Sequence, residues 1–374
     1  MKIQMRDTTL QNRGTLPVIA GTAVIRNNDL STWSITVNAN NDRSKRFQPG
    51  WGIRALDDFG NQIFSGPATS MKTVVSGDNE TRTLMIEGVS DDIYLADSLI
   101  LPNPAAGATA NADLWKATGP AETVMRKIVN DQIGPAAPSD YKVPYLVLTA
   151  NQSRGKNVSV SERFTNILEV LQAQATASKL LFGIDQDGQD LRFRIRMPRD
   201  LTKAVRLTRH NAAVGGYETE YSAPTATEAI VGGIGSGATR KMWRVANPVG
   251  QWGRRVTKFV DRQSTSDQNE LQQAAEKELE DKGETASVTF EAKELKRLRY
   301  GRDFLEGDRI TVDLDGALIQ DTLQVVELSW DETGRSAKMQ VGPAADESKM
   351  NKTTGPLLDL YKKIWSEVRR NQTR

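Results

Sequence analysis

The chain has 374 residues, 38% of them hydrophobic, and a mean hydropathy of −0.49, which leaves room for two or three domains of a polar protein. It has no cysteine and a single histidine, His210, so disulfides, thiolate catalysis, Cys-ligated zinc and His-rich metal sites are excluded, and a histidine-based triad has little to build on. Lysine and arginine number 49 against 47 acids, and a net charge of +2 does not mark a dedicated nucleic-acid binder.

Residues 1–103 read as a series of short strands. Residues 16–25, with Gly21 as a bulge, lead through Asn27-Asn28-Asp29 into 32–37, where Trp33, Ile35 and Val37 share one face. A hairpin follows: Trp51-Gly52-Ile53-Arg54-Ala55-Leu56, the turn Asp57-Asp58-Phe59-Gly60-Asn61, and Gln62-Ile63-Phe64-Ser65-Gly66-Pro67. A second strand pair covers 68–75 and 82–89. Ser90-Asp91-Asp92-Ile93-Tyr94-Leu95-Ala96-Asp97 predicts a short helical segment, stopped by Pro102 and Pro104. This spacing suits a small barrel or sandwich.

The composition changes after Pro104. A helix is expected over 120–133, with Ala121, Val124 and Ile128 on one face, then a short strand at 145–148. Phe164, Ile167, Leu168, Leu171 and Ala175 follow helical spacing. Strands at 179–185 and 191–197 are joined by Gln186-Asp187-Gly188-Gln189. Strands return over 204–262. A helix over 267–282 is expected next, capped by Ser266 or Asp267 and ended by Gly283. Strands at 287–291, 307–314, 317–330 and 336–341 complete this part. Beyond Gly355-Pro356, Leu357, Tyr361, Ile364, Trp365 and Val368 lie on one face of an amphipathic helix. They form the candidate partner interface, docking either on their own domain or on a neighbour.

No pattern calls for catalysis, a cofactor or a metal. Gly232-Gly233-Ile234-Gly235-Ser236-Gly237 lacks the Lys-Ser/Thr of a phosphate loop and reads as a glycine-rich strand end. Asp185 to Asp190 is a hairpin turn rather than a calcium loop, which needs twelve residues and a closing Glu. Asp57-Asp58 and Asp91-Asp92 are turn or cap carboxylates with no opposing acid in view. Two basic stretches, Arg254-Arg255 with Lys258 and Arg262, and 293–302, read as solvated or inter-subunit faces. The functional alternative is contact with passing DNA or an acidic neighbour. His210 has no assigned role. Trp33, Trp51, Trp243 and Trp252 read as core or contact residues, with sugar stacking as the alternative. No apolar run approaches the roughly 18 residues that span a bilayer. The N-terminus has no signal-peptide apolar region, so no membrane anchor and synthesis in a cytoplasm are expected.

Several of these segments carry a resemblance. G-x-G-I-x-A (50–55), I-F-S-G-P (63–67), T-L-x-I-x-G-V-x-D-D (83–92) and L-A-D-x-L-x-L-P-x-P (95–104) resemble the tail hub proteins of long-tailed phages that infect actinobacteria. That family is related in fold to the baseplate hubs of contractile-tailed phages. V-G-G-x-G-S-G-A-x-R (231–240), F-V-D-R (259–262) before a helix, and G-D-R-I-T-V (307–312) continue the resemblance to about Gly342.

The resemblance implies a β-rich α+β fold: two hub-type tube β-barrels, at 1–103 and 204–343, with a small α/β insertion domain at 104–203. The second barrel would carry an inserted helix at about 267–283, and 344–374 would be linker and amphipathic helix. It implies a non-enzymatic homotrimer forming a pseudo-sixfold ring in the virion tail tip. A distal tail protein ring would lie above, tail-tip or receptor-binding proteins below, with tape-measure protein contact and DNA only in transit. Too few residues follow Gly342 for the peptidase or muralytic domain that some such hubs carry. Two alternatives stand beside this reading: a cell-wall-acting enzyme or glycan-binding β-protein, and the equivalent hub of a phage-derived injection or gene-transfer particle.

Overall fold

The computed structural model describes residues 1–75, 82–106, 114–208, 213–262, 268–292, 298–314 and 317–342. His210 and the five apolar residues of the expected C-terminal helix, Leu357, Tyr361, Ile364, Trp365 and Val368, lie outside the described residues, as do Ser266 and Asp267. The chain clusters into two compact units. The first comprises Met1–Gly215, Glu291–Ile310 and Thr322–Met339; the second comprises Gly216–Phe290 and the described residues of Thr311–Asp321 and Gln340–Arg374. The described chain is β-rich, with few helices.

The first unit begins with seven strands: β1 (Lys2–Arg6), β2 (Asn12–Leu16), β3 (Val18–Arg26), β4 (Thr32–Asn38), β5 (Gly52–Leu56), β6 (Gln62–Val75) and β7 (Arg82–Val89). They pair antiparallel in the order β3-β4-β7-β6-β5-β1-β2. Trp33, Ile35 and Val37 of β4 are buried, as their alternation predicts, and the Trp33 indole N–H donates to the Val89 carbonyl at 3.0 Å.

The strands expected at 62–67 and 68–75 are one. β6 runs unbroken for 14 residues, pairing with β5 through its first half and with β7 through its second. The register shifts between Ala68 and Ser70, just after Pro67, which has no N–H to give a ladder. The bulge expected at Gly21 falls instead between Val18 and Ala20. Gly21 is needed for a different reason: a Cβ there would sit 2.2 Å from the Trp330 indole.

The chain then forms α1 (Ile93–Ala96), β8 (Trp115–Pro120), α2 (Ala121–Gln132), β9 (Leu146–Leu148), β10 (Asn157–Glu162), α3 (Ile167–Ser178), β11 (Leu181–Asp187) and β12 (Asp190–Arg196). Val124, Met125, Ile128 and Val129 of α2 pack with Ile167, Leu168, Leu171 and Ala175 of α3 and with Phe182, Ile184, Phe193 and Ile195 of the β11–β12 hairpin. β9 joins that hairpin in parallel beside β12, and β8 pairs antiparallel with β10.

Asn166 caps α3 by accepting from the Glu169 N–H, and Lys179 ends it in the left-handed region at φ 53°. Phe164, expected on the helix's apolar face, precedes the helix and is exposed, because Asn166 starts the helix after it. Lys179, expected to open a strand, is the helix cap instead. β13 (Arg206–Thr208) follows.

The second unit contains most of β14 (Val214–Ser222), then β15 (Glu228–Gly232), β16 (Met242–Ala246), β17 (Thr257–Asp261), α4 (Gln268–Asp281) and most of β18 (Thr285–Ala292). β15 is the centre of a three-stranded sheet, antiparallel to β16 and parallel to β17. Leu271, Ala275 and Leu279 of α4 cover one face of it, against Ala229, Val231, Trp243, Val245 and Val260. The Gly232–Gly237 run ends a strand and turns, as expected; the Arg240 guanidinium donates back to the carbonyls of Gly232 and Gly233 at 2.9 and 3.0 Å. β19 (Arg309–Leu314), β20 (Ala317–Asp331) and β21 (Arg335–Val341) close the described chain. Within the first unit, β20 pairs antiparallel with β3 from Val325 to Asp331.

Candidate functional site

The most constrained side chains of the first unit converge where the β5–β6 hairpin, α1 and β11 meet. Arg6, at the end of β1, is 2% exposed. Its guanidinium makes a two-point ion pair with Asp91, one arm at 2.9 Å, and donates to the Gln186 side-chain oxygen at 3.1 Å. The Ser65 hydroxyl donates to Asp91 at 2.6 Å and accepts from the Gln186 N–H at 3.0 Å. Gln186 donates onward to the carbonyls of Leu10 and Gly188. A buried charge pair is retained only when its remaining donors and acceptors are satisfied, and here they are.

Three glycines let the backbones close around this network. A Cβ on Gly66 would lie 1.7 Å from the Val89 carbonyl oxygen. One on Gly52 would lie 2.4 Å from the Gly66 carbonyl oxygen and 2.8 Å from the Arg6 guanidinium, and one on Gly88 would strike the Trp33 indole at 2.3 Å. The I-F-S-G-P and G-V-x-D-D segments are therefore the walls of a buried ionic joint.

Beside the joint lies a cavity of about 210 Å³ lined by residues that include Asn28, Asp92, Asp185, Arg194, Arg196 and Glu306. Asp92 accepts from the Ile184 N–H at 2.7 Å and the Ser90 hydroxyl at 2.9 Å. Burial, aided by the neighbouring carboxyls of Asp185 and Asp91, overrides those bonds and pushes its pKa up to about 8. Burial likewise raises Asp185 and Glu306. Glu306 accepts from the Tyr300 hydroxyl at 2.6 Å. Asn28 reaches over from the β3–β4 turn, donating to the Leu180 carbonyl and accepting from the Phe182 N–H.

Among the described residues no group of three or more His, Cys, Asp or Glu could hold a metal ion. The arrangement holds charges in fixed places, and its direct consequence is rigidity. The two Asp pairs singled out in the sequence have separate fates. Asp57 organises its turn, accepting from the Phe59 and Asn61 N–H groups at 2.9 and 2.8 Å, while Asp58 is exposed. Asp91 and Asp92 are drawn into the joint and the cavity.

Arg6 and Gln186 carried no sequence signal. Arg6 follows the alternation of Ile3 and Met5 onto the other face of β1, where a charge ordinarily meets water. Trp33 is core and Trp243 packs on the second unit's core, but Trp252 is exposed and stacks with Tyr221 at 5.1 Å.

The fold is similar to those of two solved phage tail proteins. It matches the 43 kDa tail protein of prophage MuSo2 from Shewanella oneidensis with a TM-score of 0.61 at 11% identity, covering 91% of this chain and 98% of that one. It matches the tail protein from Neisseria meningitidis MC58 with a TM-score of 0.59 at 16% identity, covering 91% and 95%. No curated protein sequence matches. The sequence model of the siphovirus ReqiPepy6 Gp37-like protein family matches residues 2–343, and the chain belongs to that family. No helix among the described residues is long and apolar enough to cross a membrane.

Proposed function

We propose that this protein is a structural component of the phage tail tip, a hub that joins the tail tube to the tip proteins and leaves a channel for DNA. The observation that carries the reading is the fold shared with two tail proteins over nearly their whole lengths, together with membership of a siphovirus family. In this reading the chain supplies two tube barrels per copy, and three copies close a pseudo-sixfold ring with threefold symmetry. Such a ring can stack on a sixfold distal tail ring above and hold tip or receptor-binding proteins below. The role is architectural: the buried joint keeps the strands of a load-bearing part in register, and no bond chemistry is asked of it. The C-terminal residues Leu357, Tyr361, Ile364, Trp365 and Val368 are proposed as a further contact with a neighbour.

Electron microscopy of particles from the source, or of the purified protein, tests this. A threefold ring with an open centre at the tail tip is expected. A protein that is monomeric, absent from any tail and active on cell-wall glycan would overturn it.

A further inference from the structure

The loop between β16 and β17 is built around an exposed tryptophan. Gly250 and Gly253, both in the left-handed region at φ 65° and 62°, bracket a single 3-10 turn, Gly250–Trp252. Side chains rarely adopt that conformation, so the two glycines permit a tight turn that leaves Gln251 and Trp252 exposed.

Trp252 is held in place from behind. The Tyr221 ring of β14 lies against it, centroids 5.1 Å apart and planes tilted by 38°. The Trp252 indole N–H also bonds the Tyr221 hydroxyl. That hydroxyl donates to the Glu284 carboxylate at 2.5 Å and accepts from the Gln251 amide at 2.5 Å. Burial, together with the bond to Glu284, raises the Tyr221 pKa, so the hydroxyl keeps its proton at neutral pH. All four residues belong to the second unit. The result is a fixed indole plate, 39% exposed, with an amide at its rim. Gln251 uses one amide hydrogen on Tyr221; its second N–H and its carbonyl oxygen have no partner among the described residues.

A ring fixed in advance loses no rotamer freedom when a flat ligand lies on it. The face of an indole is negative and attracts the weakly positive C–H hydrogens on one face of a sugar ring. The sugar's polar edge then meets the amide. An acetamido substituent adds a methyl group to the stack and a carbonyl oxygen to accept the remaining Gln251 N–H. We infer that Trp252 and Gln251 form a binding site for an N-acetylated sugar of a polysaccharide, with Tyr221 and Glu284 as positioning residues. This goes beyond the architectural role and does not depend on ring assembly. Arg254 and Arg255 follow the plate and are exposed, which raises nucleic acid as the rival ligand. Duplex DNA offers no free base face to Trp252, and the Glu284 carboxylate behind Tyr221 repels a phosphate.

The test is calorimetric titration of the full chain with chitotetraose, with cellotetraose, which has the same rings and linkage without the acetamido groups, and with a short oligothymidylate. Chitotetraose is expected to bind, and cellotetraose to bind roughly tenfold more weakly or worse. Trp252→Ala is expected to weaken chitotetraose roughly tenfold or more, and Trp252→Phe to restore most of that loss. Gln251→Leu, which keeps the plate, is expected to bring the two sugars to similar affinity, and it serves alone should Trp252→Ala fold poorly.

The site is overturned if saturation-transfer NMR detects no chitotetraose on the wild type at millimolar ligand, or if folded Trp252→Ala binds it as the wild type does. Equal wild-type affinity for the two sugars would remove the acetamido assignment. Tighter binding of the oligothymidylate, lost in Trp252→Ala, would give the plate to single-stranded nucleic acid instead.

Discussion

Replacing Asp91 with Ala strips the Arg6 guanidinium of its ion-pair partner at a site where Arg6 is 2% and Asp91 0% exposed. Of its side-chain contacts only the Gln186 oxygen at 3.1 Å remains. Breaking a buried pair from one side costs roughly 3–5 kcal/mol, because the surviving charge is left dry and uncompensated. The Ser65 hydroxyl loses its acceptor as well, adding about 1 kcal/mol. The expected loss of about 4–6 kcal/mol is a large part of the roughly 5–15 kcal/mol that holds a domain folded. Urea denaturation followed by circular dichroism reads it as a lowered midpoint of the first unit's transition. The double variant Arg6→Met/Asp91→Ala is expected to recover at least half of the loss, since neither charge is then left alone. If Asp91→Ala costs less than about 1 kcal/mol, the pair is solvated and the joint described here is not what fixes the hairpin.

Two further outcomes follow from the same region. Gly66→Ala forces a Cβ against the backbone carbonyl of Val89, which cannot rotate away, so it is expected to cost about 3 kcal/mol or more; Gly216→Ala, with nothing within 4 Å, should be close to neutral in the same denaturation assay. For Asp92 the folded pKa lies above the unfolded one, so folding takes up a proton. Its stabilisation is complete below its ordinary value of 3.8 and is lost as pH rises toward about 8. The slope from this group is at most about 1.4 kcal/mol per pH unit. Denaturation midpoints measured from pH 4 to pH 8 should fall in the wild type and fall less steeply in Asp92→Asn, where Asp185 and Glu306 remain raised; equal slopes in the two proteins would show that Asp92 is ionised throughout.

Much of the fold could be read locally. Alternation placed β4 and its buried Trp33, Ile35 and Val37, and helical spacing with Pro120 placed α2 within a residue at each end. The readings that failed did so where tertiary contact overrides local pattern. Two strands were expected where β6 is continuous, because Gly66-Pro67 looks like a break but serves as a corner between two partners. Phe164 fitted the helical spacing, yet the capping side chain of Asn166 starts the helix three residues later.

The joint was the least legible part. Its components were visible as motif letters in Ser65, Gly66, Gly88, Asp91 and Asp92, but Arg6 lies 85 residues from Asp91 and Gln186 lies 180 from Arg6. No local signal spans such a distance. The adjacent aspartates, alike in sequence, are separated by what each meets: a guanidinium for one, a cavity rim for the other.

The single span of β6 through two ladders bears on how the first unit would carry force. A pull along that strand loads the β5 ladder at one end and the β7 ladder at the other, and in both the hydrogen bonds resist sideways sliding together instead of opening one at a time. The corner at Gly66-Pro67 then works as a hinge pin seated against the Val89 carbonyl. Tension applied at the hairpin end is handed from one set of strands to the next without passing through a loop.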